Sequence, residues 1–151
     1  MTTAEPATWH HGVAAALVAT GGTVGTAARV VVSRAVPHLG GLPVGILAIN
    51  IAGAYLLGLL LEVLSRLGPD TGRRRHLRLL LGTGVLGGFT TYSALAVDTA
   101  SLLDTSRILA AAGYALATVA VGGLASWAGI ATGRAVRPRP VEPTGQSGPA
   151  A

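Results

Sequence analysis

Apolar positions in this chain do not alternate with polar ones at a helical period. They run in long blocks almost free of charge. Residues 13–32 hold one charge, Arg29, and residues 39–61, 79–97 and 108–133 hold none. Each block is close to the roughly 20 residues that cross the hydrocarbon core of a bilayer. A soluble four-helix bundle needs a polar stripe along every helix, and these blocks have none. The pattern predicts an all-α membrane protein with four transmembrane helices in one domain, residues 13–133. A segment 1–12 precedes it and a tail 134–151 follows. The first block is expected to stay in the mature protein. Only Glu5, His10 and His11 are ionisable before it, and it is longer than the apolar region of a signal peptide.

The third block is interrupted. Gly87-Gly88-Phe89-Thr90-Thr91-Tyr92-Ser93 places two glycines and a run of hydroxyls inside an apolar stretch. Backbone can leave the helix at membrane depth only where protein buries it or a wet cavity solvates it. The segment therefore predicts a third helix broken near the bilayer midplane, with carbonyls and hydroxyls free to hold an ion or solute.

Charge fixes an expected orientation. Only 11% of residues are charged, against about 25% in soluble domains. Four spans put both termini and the second loop on one side. That side carries Arg66, Arg73, Arg74, Arg75, Arg78, Arg134, Arg137 and Arg139, and the other carries Arg34, Arg107 and at most Arg29. Cytoplasmic loops collect basic residues, so both termini are expected in the cytoplasm of a protein of the cell membrane. The net charge of +5 follows from this placement and does not point to nucleic acid. The tail, rich in Pro, Gly and Ser, is expected to be a disordered cytoplasmic end. The chain has no cysteine, which excludes disulfides and thiolate metal sites.

Small residues recur at helix-packing intervals: Gly21 and Gly25, Gly84 and Gly88, Gly129 and Gly133, Ala54 and Gly58. Such pairs let helix backbones approach closely in lipid. Four short helices make a thin bundle, and an oligomer is expected. Asn50, flanked by Ile49 and Ile51, needs partners in lipid; it either bonds a neighbouring helix or offers N–H to an anion. Arg29 either faces a cavity or partner or snorkels to the interface. Tyr114, Thr118 and Gly122 share a helix face, as do Tyr92 and Leu95 after the break. A Thr such as Thr118 often bonds its own backbone instead of a substrate. Asp98 and Asp104 read as helix-end or loop charges. Trp9, His10, His11 and Trp127 fit interfacial anchors. No carboxylate pair, nucleophile–base set or phosphate loop stands out, so an enzyme is not expected.

These motifs, in order, resemble those of the CrcB/Fluc fluoride-specific ion channel family. The first is Gly21-Gly22-Thr23-Val24-Gly25-Thr26-Ala27-Ala28-Arg29. The second is Asn50-Ile51-Ala52-Gly53 with Gly58, and the third is the Gly87–Ser93 segment. The resemblance implies an antiparallel dimer of four-helix subunits with two narrow pores that let cytoplasmic fluoride leave down its gradient. It implies a structural sodium ion, not transported, held by backbone carbonyls of Gly87 and Thr90 from both subunits. It places Asn50, Tyr92, Leu95, Thr118 and Gly122 along the fluoride pore, with Tyr114 on the same face, and Arg29 at a vestibule. Amide N–H and hydroxyl groups can replace the water of fluoride, and an aromatic edge is electropositive.

The chain departs from the family pattern at the pore. Tyr92 and Leu95 stand where phenylalanines are usual, Ala94 where threonine is usual, and Gly122 where a hydroxyl is common. An antiparallel homodimer also needs a chain that inserts both ways, and the arginine bias commits this one to a single orientation. Pairing with a homologous, oppositely oriented subunit is therefore expected. Two alternatives are a non-conducting partner subunit and a small multidrug-type exporter. The exporter needs a carboxylate deep in a span.

Overall fold

The structure is a computed structural model and describes residues 8–36 and 39–136. The expectations placed on residues 1–7, on the side chains of Trp9 and His10, and on the tail from residue 137 lie outside the described residues. Helices α1 (Thr8–Ala35) and α2 (Val44–Arg66) come first. The third span starts as α3 (Gly72–Leu77), widens into π-helical turns over Arg78–Leu86, and closes with the short α4 (Gly87–Phe89). After the break come α5 (Tyr92–Asp104) and α6 (Ile108–Arg134). Taking Gly72–Asp104 as one span, four helical stretches are long and apolar enough to cross a membrane.

Two glycine seams hold the bundle. Along the first, α1 lies against the π-helical turns. A methyl group on Gly25 would overlap the Val85 carbonyl, one on Gly21 the Leu80 carbonyl, and one on Gly88 the Gly22 carbonyl. Along the second, α2 lies against α6: Gly58 faces the Ser126 carbonyl and Gly129 the Tyr55 carbonyl. In lipid no hydrophobic force pulls helices together, so close backbone approach of this kind supplies the contact energy. The predicted pairs Gly21/Gly25, Gly84/Gly88 and Gly129/Gly133 all lie in these seams.

The end of the bundle formed by the α1–α2 and α5–α6 turns is tied together. Leu39 and Leu42 exchange backbone hydrogen bonds of 3.2 and 2.9 Å around Gly40 and Gly41, whose φ values are +59° and +75°. Side chains disfavour that left-handed conformation. Arg107 donates to the Gly40 and Gly41 carbonyls at 3.3 and 3.4 Å. Leu95, Leu102, Ala111 and Tyr114 form a buried cluster joining α5 to α6. At the opposite end, Glu62 pairs with Arg66 at 2.8 Å and approaches Arg134 at 3.8 Å. Arg78, at the start of the π-helical turns, pairs with Asp70 at 2.7 Å.

Asp98 differs from its sequence reading. It lies inside α5, half-buried, where the Tyr114 hydroxyl donates to it at 3.2 Å.

Candidate functional site

The break falls where the motif placed it. Thr90 leaves the helix with ψ 155°, and Thr91 is extended at φ −153°, ψ 124°. Each side of the break is closed by its own threonine. The Thr90 amide and hydroxyl both donate to the Leu86 carbonyl, at 3.0 and 2.9 Å, and finish the first half. Thr91 Oγ1 accepts from Ala94 N–H at 3.2 Å and starts the second half. Threonine is a favoured N-cap for this reason. The same hydroxyl lies 3.1 Å from Ser93 Oγ.

Asn50 clasps the break from α2. Its Oδ1 accepts from Thr91 N–H at 2.8 Å, and its Nδ2 donates to the Thr91 carbonyl at 3.0 Å. Of the two readings the sequence left open for Asn50, the interhelical bond is present. One Nδ2 hydrogen is unused among the described residues, because an amide nitrogen carries two. Gly53, one turn along α2, gives the Thr90 methyl and the Phe89 ring their space. The Asn50-x-x-Gly53 spacing thus has a physical cause: one position bonds the broken strand and the next on that face makes room for it.

A groove of about 480 Å³ opens beside the break, lined by Asn50, Ala54, Leu57, Gly87, Thr90, Thr91, Tyr92, Leu95, Thr118, Val119 and Gly122. It unites five of the expected pore residues (Asn50, Tyr92, Leu95, Thr118 and Gly122) with both expected sodium carbonyl residues. Tyr92 is 82% exposed, whereas Leu95 is 7% and Thr118 5% exposed. The groove therefore has a floor of α2, α5 and α6 and a projecting aromatic rim. Among the described residues, no atom beyond its own helix turn lies within 4 Å of where a Gly122 side chain would start, so Gly122 is not a packing glycine within this chain. Thr118 Oγ1 donates to the Tyr114 carbonyl at 2.7 Å, which engages its hydrogen.

Two expected residues lie elsewhere. Tyr114 is buried outside the groove, with its hydroxyl 3.2 Å from Asp98 Oδ2 and 3.3 Å from the Pro43 carbonyl. Arg29 is half-buried on α1, one turn beyond Gly25, and its Nε is enclosed without a partner among the described residues. Sequence reasoning gave Ala54 only a packing role, whereas it lines the groove, and it passed over Leu57 and Val119. Ala54 and Leu57 follow Asn50 at four and seven residues, the spacing of one helix face. It also gave no role to Thr91, whose amide and hydroxyl organise the break.

The groove's carbonyls suit a hard cation. In a continuous helix the Gly87 carbonyl would accept from Thr91 N–H and the Thr90 carbonyl from Ala94 N–H. Those two donors go instead to Asn50 and to the Thr91 hydroxyl. Carbonyl oxygens released in this way are the donor type that alkali cations take at broken membrane helices.

Known proteins resemble this chain over most of its length. Residues 16–130 match the family model described as CrcB-like protein, Camphor Resistance (CrcB). The chain is 52% identical to Fluoride-specific ion channel FluC 2 of Leifsonia xyli subsp. xyli, covering 83% of this chain and 87% of that protein. It is 48% identical to Fluoride-specific ion channel FluC 1 of Cutibacterium acnes, covering 80% and 85%. It is 43% identical to Fluoride-specific ion channel FluC of Agrobacterium fabrum, covering 79% and 94%. The chain belongs to the CrcB/FluC family of fluoride-specific ion channels.

Proposed function

We propose that this chain is a subunit of a fluoride channel that lets cytoplasmic fluoride leave the cell down its gradient. The observation that carries the reading is the groove, where Asn50, Tyr92, Leu95, Thr118 and Gly122 line one wall beside a helix break. Fluoride is small and strongly hydrated, so its water must be replaced by fixed donors in a narrow path. The unused Asn50 N–H and the edge of the exposed Tyr92 ring supply them. HF that enters from an acidic medium dissociates inside, and the channel returns the trapped anion. No energy source beyond the gradient is required.

The groove is open on one side and a pore needs a second wall. We assign that wall to an antiparallel partner, with both termini of this chain in the cytoplasm of the cell membrane. The Gly87 and Thr90 carbonyls, with those of the partner, would hold a sodium ion, which would supply a fixed positive charge near the anion path. The arginine distribution favours one orientation, which supports a homologous, oppositely inserted partner over a second copy of this chain. The role of non-conducting partner draws on the pore wall itself: Leu95 has no electropositive edge, and the Thr118 hydrogen is engaged. The multidrug-exporter reading is weaker. Asp98 does lie within a span, but it faces Tyr114 and not the groove.

Fluoride efflux from liposomes tests the proposal. The chain with an oppositely oriented homologue is expected to conduct, and the chain alone is not. Efflux from the chain alone would overturn the fixed-orientation pairing. No efflux from either preparation would overturn conduction by this subunit.

A further inference from the structure

We propose that Thr91, held by Asn50, is the positioning residue that opens the cation site, by drawing away the helical partners of both carbonyls. The proposal rests on the sodium reading above and deepens it. The Gly87 carbonyl lacks the Thr91 N–H because that N–H donates to Asn50 Oδ1 at 2.8 Å. The Thr90 carbonyl lacks the Ala94 N–H because that N–H donates to Thr91 Oγ1 at 3.2 Å. One residue is thus common to both diversions, through its amide in one case and its hydroxyl in the other.

The arrangement keeps itself in place. Asn50 grips Thr91 on both backbone groups, at 2.8 and 3.0 Å, so Thr91 cannot rotate back into the helix without losing two hydrogen bonds at membrane depth. Thr91 is 8% exposed, and its hydroxyl also meets Ser93 Oγ, which holds the rotamer that caps α5. Gly88, between the two carbonyl donors, is anchored separately. Its carbonyl accepts from the Thr26 hydroxyl at 3.4 Å, and its own position abuts the Gly22 backbone. The carbonyl that α1 engages is therefore not one of the pair left for the cation. Because Asn50 also lines the groove, the anion wall and the cation site share one side chain.

The test separates freeing the carbonyl from merely capping the helix. Thr91→Val and Ala94→Pro each delete the bond between Ala94 N–H and the Thr91 hydroxyl. Only Thr91→Val leaves an N–H that can return to the Thr90 carbonyl. Proline is tolerated in the first turn of a helix, so Ala94→Pro keeps the carbonyl free. The readout is thermal unfolding of the purified full chain, in the oligomeric form that conducts, across sodium concentrations balanced with N-methylglucamine.

Thr91→Val is expected to raise the sodium concentration for half-maximal stabilisation by about tenfold or more, the scale of one hydrogen bond. Thr91→Ser and Ala94→Pro are expected to keep the parent value. Parent-like sodium response in Thr91→Val, or its loss in Ala94→Pro or Thr91→Ser, overturns the positioning role while leaving the sodium site standing. Absence of any sodium response in the parent protein overturns the site and the positioning role together. If Thr91→Val does not fold, loss of the sodium response in Ala94→Pro or Thr91→Ser still overturns the positioning role.

Discussion

Gly122 and Gly129 stand seven residues apart on α6, about two turns, and so on nearly the same face. Their surroundings differ completely. Gly129 lies against the Tyr55 carbonyl and the Leu59 amide, where a methyl group would overlap backbone. Gly122 has no neighbour beyond its own helix turn within 4 Å among the described residues, and it lines the groove. Along one face of one helix, α6 is thus in contact with α2 at one level and separated from it two turns away. The same residue type closes the bundle at Gly129 and leaves space open at Gly122. A glycine in a membrane helix therefore says only that bulk is absent. Its neighbour decides whether the absence closes a seam or leaves a groove open.

Alanine substitution should separate the two most sharply. Gly129→Ala must push α2 and α6 apart at backbone positions that cannot yield, and such overpacking costs about 1–3 kcal/mol. Its partner Gly58 faces the Ser126 carbonyl in the same seam, so the strain has no nearby outlet. Loss of monodisperse protein on size-exclusion chromatography is the expected result. Gly122→Ala should purify and unfold like the parent, yet carry fluoride more slowly because its methyl group enters the groove. Equal behaviour of the two variants in both assays would erase the distinction between seam and groove.

Asn50 belongs to the groove and yet has a structural duty, so its replacement should fall between those extremes. Asn50→Ala leaves the Thr91 amide and carbonyl without their partner. Each buried polar group left unmade costs about 1–3 kcal/mol. Both lower thermal stability and abolished efflux are expected. Lost efflux with unchanged stability would mean that Asn50 acts on the anion alone and does not hold the break.

The four spans and the break were legible because lipid imposes them. A span must be long and apolar, and a break must bring its own hydroxyls and small residues. The groove wall was legible from the family resemblance at Asn50, Tyr92, Leu95, Thr118 and Gly122. What escaped was the direction of individual hydrogen bonds. Nothing in the spacing says that Thr91 N–H turns to Asn50, since that depends on how α2 meets the break. Tyr114 shares a face with Thr118, but helical side chains lean toward the helix start. Its hydroxyl therefore arrives at Pro43 and Asp98, away from the groove. Asp98 looked like a loop charge for a related reason: its donor lies sixteen residues further on.

Tyr92 gives the finest cut through the comparison, and the smallest expected effect. At 82% exposure it forms part of the groove rim and packs against little among the described residues of its own chain, and on the proposed dimer the partner supplies its contacts. If the ring edge is what meets fluoride, the hydroxyl is incidental. Tyr92→Phe should then leave efflux within about twofold and stability within about 0.5 kcal/mol, as for a surface change away from any structural feature. Tyr92→Leu keeps an apolar side chain but removes the electropositive edge, and should slow efflux well beyond Tyr92→Phe. Matched rates for the phenylalanine and leucine variants would show that the ring is only a spacer. A large loss in Tyr92→Phe would instead place the phenolic hydroxyl among the donors, beside the free Asn50 N–H.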